Sequence, residues 1–276
     1  MPPHTEWHWL EAYGRAEADS AAAHGTSWQA AVAAVDGSVE QSVPRSRLEE
    51  LHSWAVAVSR LPVSDVLHRG SGWGQLEGEY RGRTGMQTAW GSEVAFETEL
   101  EPGQRQWLQL LEHGTFPEPH PRAAPVGYEV QEKWQALLEA YVSRKPWNWY
   151  ALLHLGLMYF EREDTAAAGR TWARSAEAVE NPWALRNLGM LARLEGDAEA
   201  AAGHYREAYN LLRTCTPLTI ELAEALLSAD LAEEWLQVYE ELPAEARTVG
   251  RLELLYARGL LAEGKLDEAL EIVRRG

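Results

Sequence analysis

Cysteine and lysine are scarce in this sequence, and each shortage narrows what the protein can be. Cys215 is the only cysteine among 276 residues, which excludes an internal disulfide and a metal site built from cysteines. Three of the 25 basic residues are lysine, and the 42 acidic residues leave a formal net charge of −17. A field of that sign repels polyanions, so nucleic acid and anionic membranes are not expected as partners.

Long apolar runs are absent as well. No stretch approaches the roughly 18 apolar residues that a membrane-spanning helix requires. The first residues, from Met1 to Trp7, contain neither the basic segment nor the apolar core of a signal peptide. The sequence therefore predicts a cytoplasmic protein.

Tryptophan, by contrast, is abundant. The chain has 13 tryptophans in 276 residues, several times the ordinary usage. Tryptophan brings a large apolar surface and one N–H donor, so this excess indicates dense packing, ligand stacking, or both.

The second half of the chain repeats a pattern every 33 or 34 residues. In most copies a large residue precedes a small one, a second small residue follows thirteen positions later, and a large residue comes four positions after that. Three columns in phase over four copies are difficult to obtain by chance. The first column is Leu155-Gly156, Leu188-Gly189, Leu222-Ala223 and Tyr256-Ala257; the second is Ala168, Ala201, Trp235 and Ala269; the third is Trp172, Tyr205, Tyr239 and Val273.

Small residues let two helices approach closely, and a bulky residue one turn later fills the adjoining space. Gly196 and Gly264 lie where a first helix must end in a left-handed conformation. The third copy departs from the pattern, with Trp235 at a small position and Asp230 at the turn. The pattern predicts consecutive antiparallel helix pairs.

This period and these columns resemble the tetratricopeptide repeat. The resemblance implies an all-α fold, a right-handed α-solenoid of about four helical hairpins, over residues 129–276. We expect an irregular helical N-terminal region over residues 1–114 and a proline-rich connector over 115–128. No polar helix follows the last hairpin, so either the chain is a piece of a longer protein or something else covers that end.

Helical periodicity and capping signals predict the helices before the array. We expect helices over residues 6–23, 28–43, 104–112 and 130–143, and a further one from 46 to just before 62. Ser46 and Glu49 form a capping-box pattern at the start of that helix. A weak alternation over residues 94–100 indicates a short extended segment.

Two further segments resemble part of a bacterial family. Leu67–Glu77 contains the run Gly70-Ser71-Gly72-Trp73-Gly74, and Asn181–Leu188 contains Pro182-Trp183. Both are similar to the C-terminal portion of large bacterial proteins that join a mutarotase-like β-sandwich to a tetratricopeptide array. This resemblance implies a bacterial source and a carbohydrate-related partner domain.

The concave wall of a tetratricopeptide array is formed by the first helix of each hairpin. An arginine–asparagine pair beside aromatic residues can hold a carboxylate or a hydroxyl-rich ligand. An alternative stays open, in which these aromatic residues pack against N-terminal helices that fold back into the groove. The candidate groove and partner-binding residues are Tyr150, His154, Phe160, Trp183, Arg186, Asn187 and Arg193.

Other constellations are weaker. The Gly70–Gly74 run lacks the lysine and spacing of a phosphate loop, so we expect a structural turn with Trp73 in the core. His4 and His8 have the spacing of two metal ligands on one helical face but lack an accompanying acid. Exposed acid pairs such as Glu161 with Asp164, or Glu240 with Glu241, are ordinary on the helices of an acidic protein. We expect no catalytic residues, no metal and no cofactor.

The sequence thus favours a non-enzymatic scaffold that binds a protein or peptide, possibly a carbohydrate-active domain, in its groove. The main alternative is an accessory or glycan-binding module of a carbohydrate-active bacterial protein, with an oligosaccharide as ligand. A third interpretation, an α/α-toroid glycosidase, requires a closed ring of about a dozen helices, which the repeat pattern disfavours.

Overall fold

The structure, a computed structural model, describes residues 8–61, 65–88, 90–91 and 94–275. Within these ranges it has fifteen α-helices and, apart from one isolated parallel bridge between Gly70 and Phe96, no β-structure. None of the described helices is long and apolar enough to cross a membrane. The helices are α1 (Ser20–Ala23), α2 (Trp28–Ser42), α3 (Arg45–Ser59), α4 (Gly72–Thr84), α5 (Pro102–His113), α6 (Glu132–Arg144), α7 (Trp149–Glu161), α8 (Thr165–Ala178), α9 (Pro182–Leu194), α10 (Ala198–Leu211), α11 (Thr216–Ser228), α12 (Ala232–Glu241), α13 (Ala244–Arg247), α14 (Gly250–Ala262) and α15 (Leu266–Arg275).

The described residues form two compact units. One comprises the chain up to Gly74 together with Arg81–Glu97, and the other comprises Gln75–Tyr80 together with Thr98–Gly276. Helices α5 and α6 therefore share a unit with the repeats. The predicted division into domains at residues 115–128 stays a prediction.

The predicted helix over residues 6–23 is wrong for most of its length. Its first two residues lie outside the described ranges, and the structure is helical only at Ser20–Ala23. Trp9 and Tyr13 are 73 % and 90 % exposed, so the segment has no apolar surface to bury. A short helix without tertiary packing is marginal in water, and Gly14 weakens it further.

Helices α2 and α3 agree with the predicted positions, but the capping box does not form. Helix α3 begins at Arg45 behind Pro44, which places Ser46 inside the first turn. The carboxylate of Glu40 accepts a hydrogen bond from the Arg45 N–H at 3.1 Å. This acceptor satisfies one of the free N–H groups that the serine would otherwise have capped.

The glycine run from Gly70 to Gly74 is not a loop throughout, because α4 begins at Gly72. A Cβ at Gly74 would lie 2.1 Å from Cε1 of Phe96, and one at Gly70 would lie 2.7 Å from Cδ1 of the same ring. The glycines therefore make room for Phe96. Trp73 is only half-buried, so the prediction that it fills the core is wrong.

The array consists of four consecutive hairpins: α7 with α8, α9 with α10, α11 with α12, and α14 with α15. Each second helix also packs on the first helix of the following hairpin, as α8 does on α9 and α10 on α11. The short helix α13 stands between the third and fourth hairpins. The predicted all-α solenoid of tetratricopeptide-type hairpins is confirmed.

The close approach within hairpins is visible at two glycines. A Cβ at Gly156 would lie 2.4 Å from Nε1 of Trp172, and one at Gly189 would lie 2.9 Å from Cδ2 of Tyr205. Both partner rings are almost fully buried. The predicted pairing of a small residue with a bulky one therefore holds the first two hairpins together.

The turns inside the hairpins need a left-handed residue. Gly196 and Gly264 have φ of 81° and 73°, as the sequence predicts. Glu163 and Asp230 occupy the equivalent turns with φ of 64° and 57°. Asp230 thus adopts the left-handed conformation despite its side chain, which aspartate tolerates better than most residues.

Candidate binding site in the groove

A cavity of about 240 Å³ opens on the first helices of the first two hairpins. Helix α7 contributes Leu153, His154 and Leu157, and helix α9 contributes Trp183, Arg186 and Asn187. Residues 125–128, from the predicted connector, form the remaining wall. The cavity thus brings together four of the seven predicted site residues.

Tyr150 lies beneath the chain that precedes the array. It is 1 % exposed, and its ring stacks on Phe116 with a centroid distance of 5.7 Å. Its hydroxyl accepts a hydrogen bond from the Val126 N–H at 3.2 Å and donates one to Oε1 of Gln106 at 3.0 Å. Burial raises the pKa of this hydroxyl. In this structure Tyr150 offers no surface to a partner.

His154 is surrounded by aromatic rings. Its centroid lies 4.6 Å from that of Tyr150, 5.5 Å from Phe116 and 5.4 Å from Trp107, each in an edge-on arrangement. Burial lowers the pKa of His154 to about 3, so the ring is neutral near pH 7. Among the described residues, neither ring nitrogen has a hydrogen-bond partner.

The chain before the array therefore fills part of its groove. Helix α5 supplies Trp107 and Gln106, and the segment after it supplies Phe116, which is 4 % exposed. Asn148, at the start of α7, donates to the carbonyl of Pro117 at 3.2 Å. This arrangement agrees with the alternative in which N-terminal elements fold back on the aromatic residues of the first hairpin.

Trp183 and Phe160 are both half-buried but differ in their surroundings. Phe160 packs inside its own hairpin, with its ring 5.8 Å from that of Trp172. Trp183 forms part of the cavity, and its Nε1 has no hydrogen-bond partner among the described residues. Trp183 is therefore the aromatic residue of the predicted set that a ligand can reach.

Arg186 is already paired within the chain. Its Nε and Nη2 donate to the two carboxylate oxygens of Glu221, on α11, at 2.6 and 2.5 Å. The hydrogen bond to Glu221 raises the pKa of the guanidinium, which remains charged. This two-point contact is the geometry in which arginine would hold the carboxylate of a ligand.

Arg193 belongs to a second charge cluster. It lies 3.7 Å from a carboxylate oxygen of Glu224, whose other oxygen accepts a hydrogen bond from Arg251 at 2.5 Å. These three side chains come from α9, α11 and α14. Arg193 does not contribute to the cavity wall beside Arg186.

Sequence reasoning missed Glu221, Glu224 and the wall formed by residues 125–128. Glu221 follows Arg186 by 35 residues, close to one repeat period. Because successive first helices lie side by side, an acid one period after a basic residue is a signal for such a pair. Nothing in the sequence places residues 125–128 in the groove.

The other constellations of the sequence give no site. His4 lies outside the described residues, and His8 contacts the ring of His52 at 6.1 Å. Asp164 caps α8 by accepting from the Ala167 N–H at 2.9 Å. In the described parts of the chain, no three His, Cys, Asp or Glu side chains are grouped as they would be around a metal ion.

Fold and site define a helical-repeat protein with a partly filled groove and one open cavity. No family model matches the chain, and no curated protein matches it. Among solved structures, the chain is similar to the crystal structure of the MamA protein, with 17 % identity over 51 % of this chain and 78 % of that one, and a TM-score of 0.45. It is also similar to YrrB, a tetratricopeptide-repeat protein with an unusual peptide-binding site, with 15 % identity over 52 % of this chain and 74 % of that one, and a TM-score of 0.46.

Proposed function

We propose that this protein is a non-enzymatic scaffold that binds a protein or peptide partner in the groove of its helical repeats. The observation that carries the proposal is the open cavity between α7 and α9, where Trp183 is half-exposed beside Arg186 and Asn187. Tryptophan and arginine dominate the energetics of protein interfaces. Stacked repeats expose such positions as one continuous surface.

The size and chemistry of the cavity favour this proposal over catalysis. Its volume of about 240 Å³ is below the roughly 300–1,000 Å³ of typical small-molecule sites. It contains one histidine, which is neutral, and one arginine, which is paired. Such a cavity suits one anchoring side chain of a longer partner.

The test uses the full chain as bait in a lysate of the source organism. We expect Trp183→Ala to reduce retention of the partner about tenfold, because a buried aromatic anchor contributes at least 1–2 kcal/mol. Arg186→Ala should have an effect in the same direction. Trp147→Ala is the matched control, since Trp147 is 58 % exposed and outside the cavity.

Circular dichroism of each variant separates binding from folding. Equal retention by a folded Trp183→Ala variant and by wild type would remove the groove assignment. Unfolding of both cavity variants would show instead that these side chains are structural.

A second candidate is an oligosaccharide-binding accessory module. Three tryptophans are largely exposed: Trp28 by 77 %, Trp54 by 64 % and Trp147 by 58 %. Exposed indole faces can stack on sugar rings. A titration of tryptophan fluorescence with oligosaccharides tests this function, and an unchanged spectrum at millimolar sugar would exclude it.

A further inference from the structure

The cavity contains polar atoms that the described protein leaves without partners. They are Nδ1 and Nε2 of His154, which is 3 % exposed, and Nε1 of Trp183. An unpaired polar group away from water destabilises a protein by about 1–3 kcal/mol. A bound group that offers both a donor and an acceptor at this place recovers part of that free energy.

The charge of the cavity is balanced before any ligand arrives. Glu221 accepts from both Nε and Nη2 of Arg186, so the guanidinium has little attraction left for a second carboxylate. His154 is neutral at physiological pH and adds no positive charge. The formal net charge of −17 further opposes an anionic ligand.

We propose, on the basis of the function proposed above, that this cavity selects an uncharged carboxamide side chain of the partner, glutamine or asparagine, over a carboxylate. A carboxamide has an oxygen that accepts and an NH₂ group that donates. Its oxygen matches the Trp183 N–H, and its NH₂ group matches the unprotonated nitrogen of His154 or the oxygen of Asn187. Leu153 and Leu157 surround the aliphatic part of such a side chain.

The experiment uses an array of short peptides, capped at both ends, in which one position is fixed in turn to each amino acid. Labelled full-length protein is bound to the array, and only signal lost in Trp183→Ala is counted. We expect fixed glutamine or asparagine to exceed fixed glutamate or aspartate by about fivefold, the size of one net hydrogen bond. A preference for acids, or no preference that depends on Trp183, would overturn the proposal.

Glu221→Gln provides a second, independent readout. This change releases Arg186, so peptides with fixed glutamate or aspartate should gain at least about fivefold relative to wild type. Glu234→Gln is the matched control, because Glu234 makes the same two-point contact with Arg206, at 2.5 and 2.7 Å, on α10 and α12. Acid peptides that gain nothing in Glu221→Gln, or gain equally in Glu234→Gln, contradict the proposal.

The two proposals can fail separately. If acids are preferred but all binding still depends on Trp183, the carboxamide inference fails and the groove remains the binding site. If the natural partner is retained equally by the Trp183→Ala variant, the proposed function itself fails.

Discussion

At the scale of single residues, burial decides which members of the groove can act on a partner. Tyr150 and His154 are 1 % and 3 % exposed, and both lie under chain that comes before the repeats. Trp183 and Arg186, one hairpin further on, are half-buried and adjoin the open cavity. Residues at equivalent repeat positions therefore have different roles.

The neutral His154 predicts a specific pH dependence. Its pKa falls from 6.5 in the unfolded chain to about 3 in the folded one, so between these values the unfolded state binds more protons. This residue therefore destabilises the fold as the pH drops below about 6.5, by about 2 kcal/mol at pH 5. We expect His154→Phe to lose less stability than wild type between pH 7 and pH 5.

Urea denaturation at both pH values measures this difference. Wild type and variant are compared directly because Glu129, whose pKa burial raises to about 7, shifts stability in the opposite direction in both proteins. His113→Phe, at an exposed histidine, controls for the substitution itself. Parallel pH dependence in wild type and His154→Phe would contradict a neutral buried ring.

Two glycines in neighbouring hairpins should respond oppositely to alanine. At Gly156 the added Cβ would press on the Trp172 ring, whose Nε1 donates to the Leu153 carbonyl at 3.1 Å. We expect Gly156→Ala to lower the free energy of unfolding by about 1–3 kcal/mol. Gly203, within α10, has nothing within 4 Å of an added Cβ, so Gly203→Ala should raise it by about 0.5–1 kcal/mol. Denaturant midpoints test both, and a neutral Gly156→Ala would disprove the close approach.

At the scale of helices, the array is joined by apolar packing and by charge pairs between successive first helices. Leu222 and Leu226 of α11 are fully buried together with Leu252 and Leu255 of α14. Glu224 lies between Arg193 and Arg251 and so connects three first helices. The apolar contacts carry most of the stability, since partly exposed ion pairs contribute little each.

Glu224→Gln tests the contribution of the charge cluster. We expect a loss of about 0.5–1 kcal/mol at low ionic strength, because two arginines lose their shared partner. The loss should shrink in 1 M NaCl, where screening acts over about 3 Å. Glu177→Gln, at an exposed position on α8, is the control. A loss that does not change with salt would assign the effect to packing instead.

At the scale of the whole molecule, burial differs strongly among the helices. Helix α7 has nine buried residues out of thirteen, whereas α2 and α3 have none. Local stability follows the number of buried apolar contacts.

Hydrogen exchange should reproduce this difference. We expect amides of α7 to exchange at least about a hundredfold more slowly than those of α2, equivalent to roughly 3 kcal/mol of opening free energy. Mass spectrometry of peptides from the full chain measures both helices in one experiment. Equal protection would mean that a partner or a second copy covers α2 in solution.

The sequence by itself determined the repeat architecture. Small and bulky residues at fixed spacing, such as Gly156 and Trp172, act within one hairpin, so a period of 33 or 34 residues contains the information for the contact. The same reasoning failed for residues 6–23, where a helical pattern met no surface to pack against. Local periodicity predicts a helix only where tertiary burial also stabilises it.

Only the tertiary structure decided which groove positions remain open. The hydroxyl of Tyr150 is bound by Gln106, which lies 44 residues earlier, and Arg186 is bound by Glu221, which lies 35 residues later. Burial and charge balance at one point depend on all the chain that folds over it, and no local pattern records which distant segment that will be.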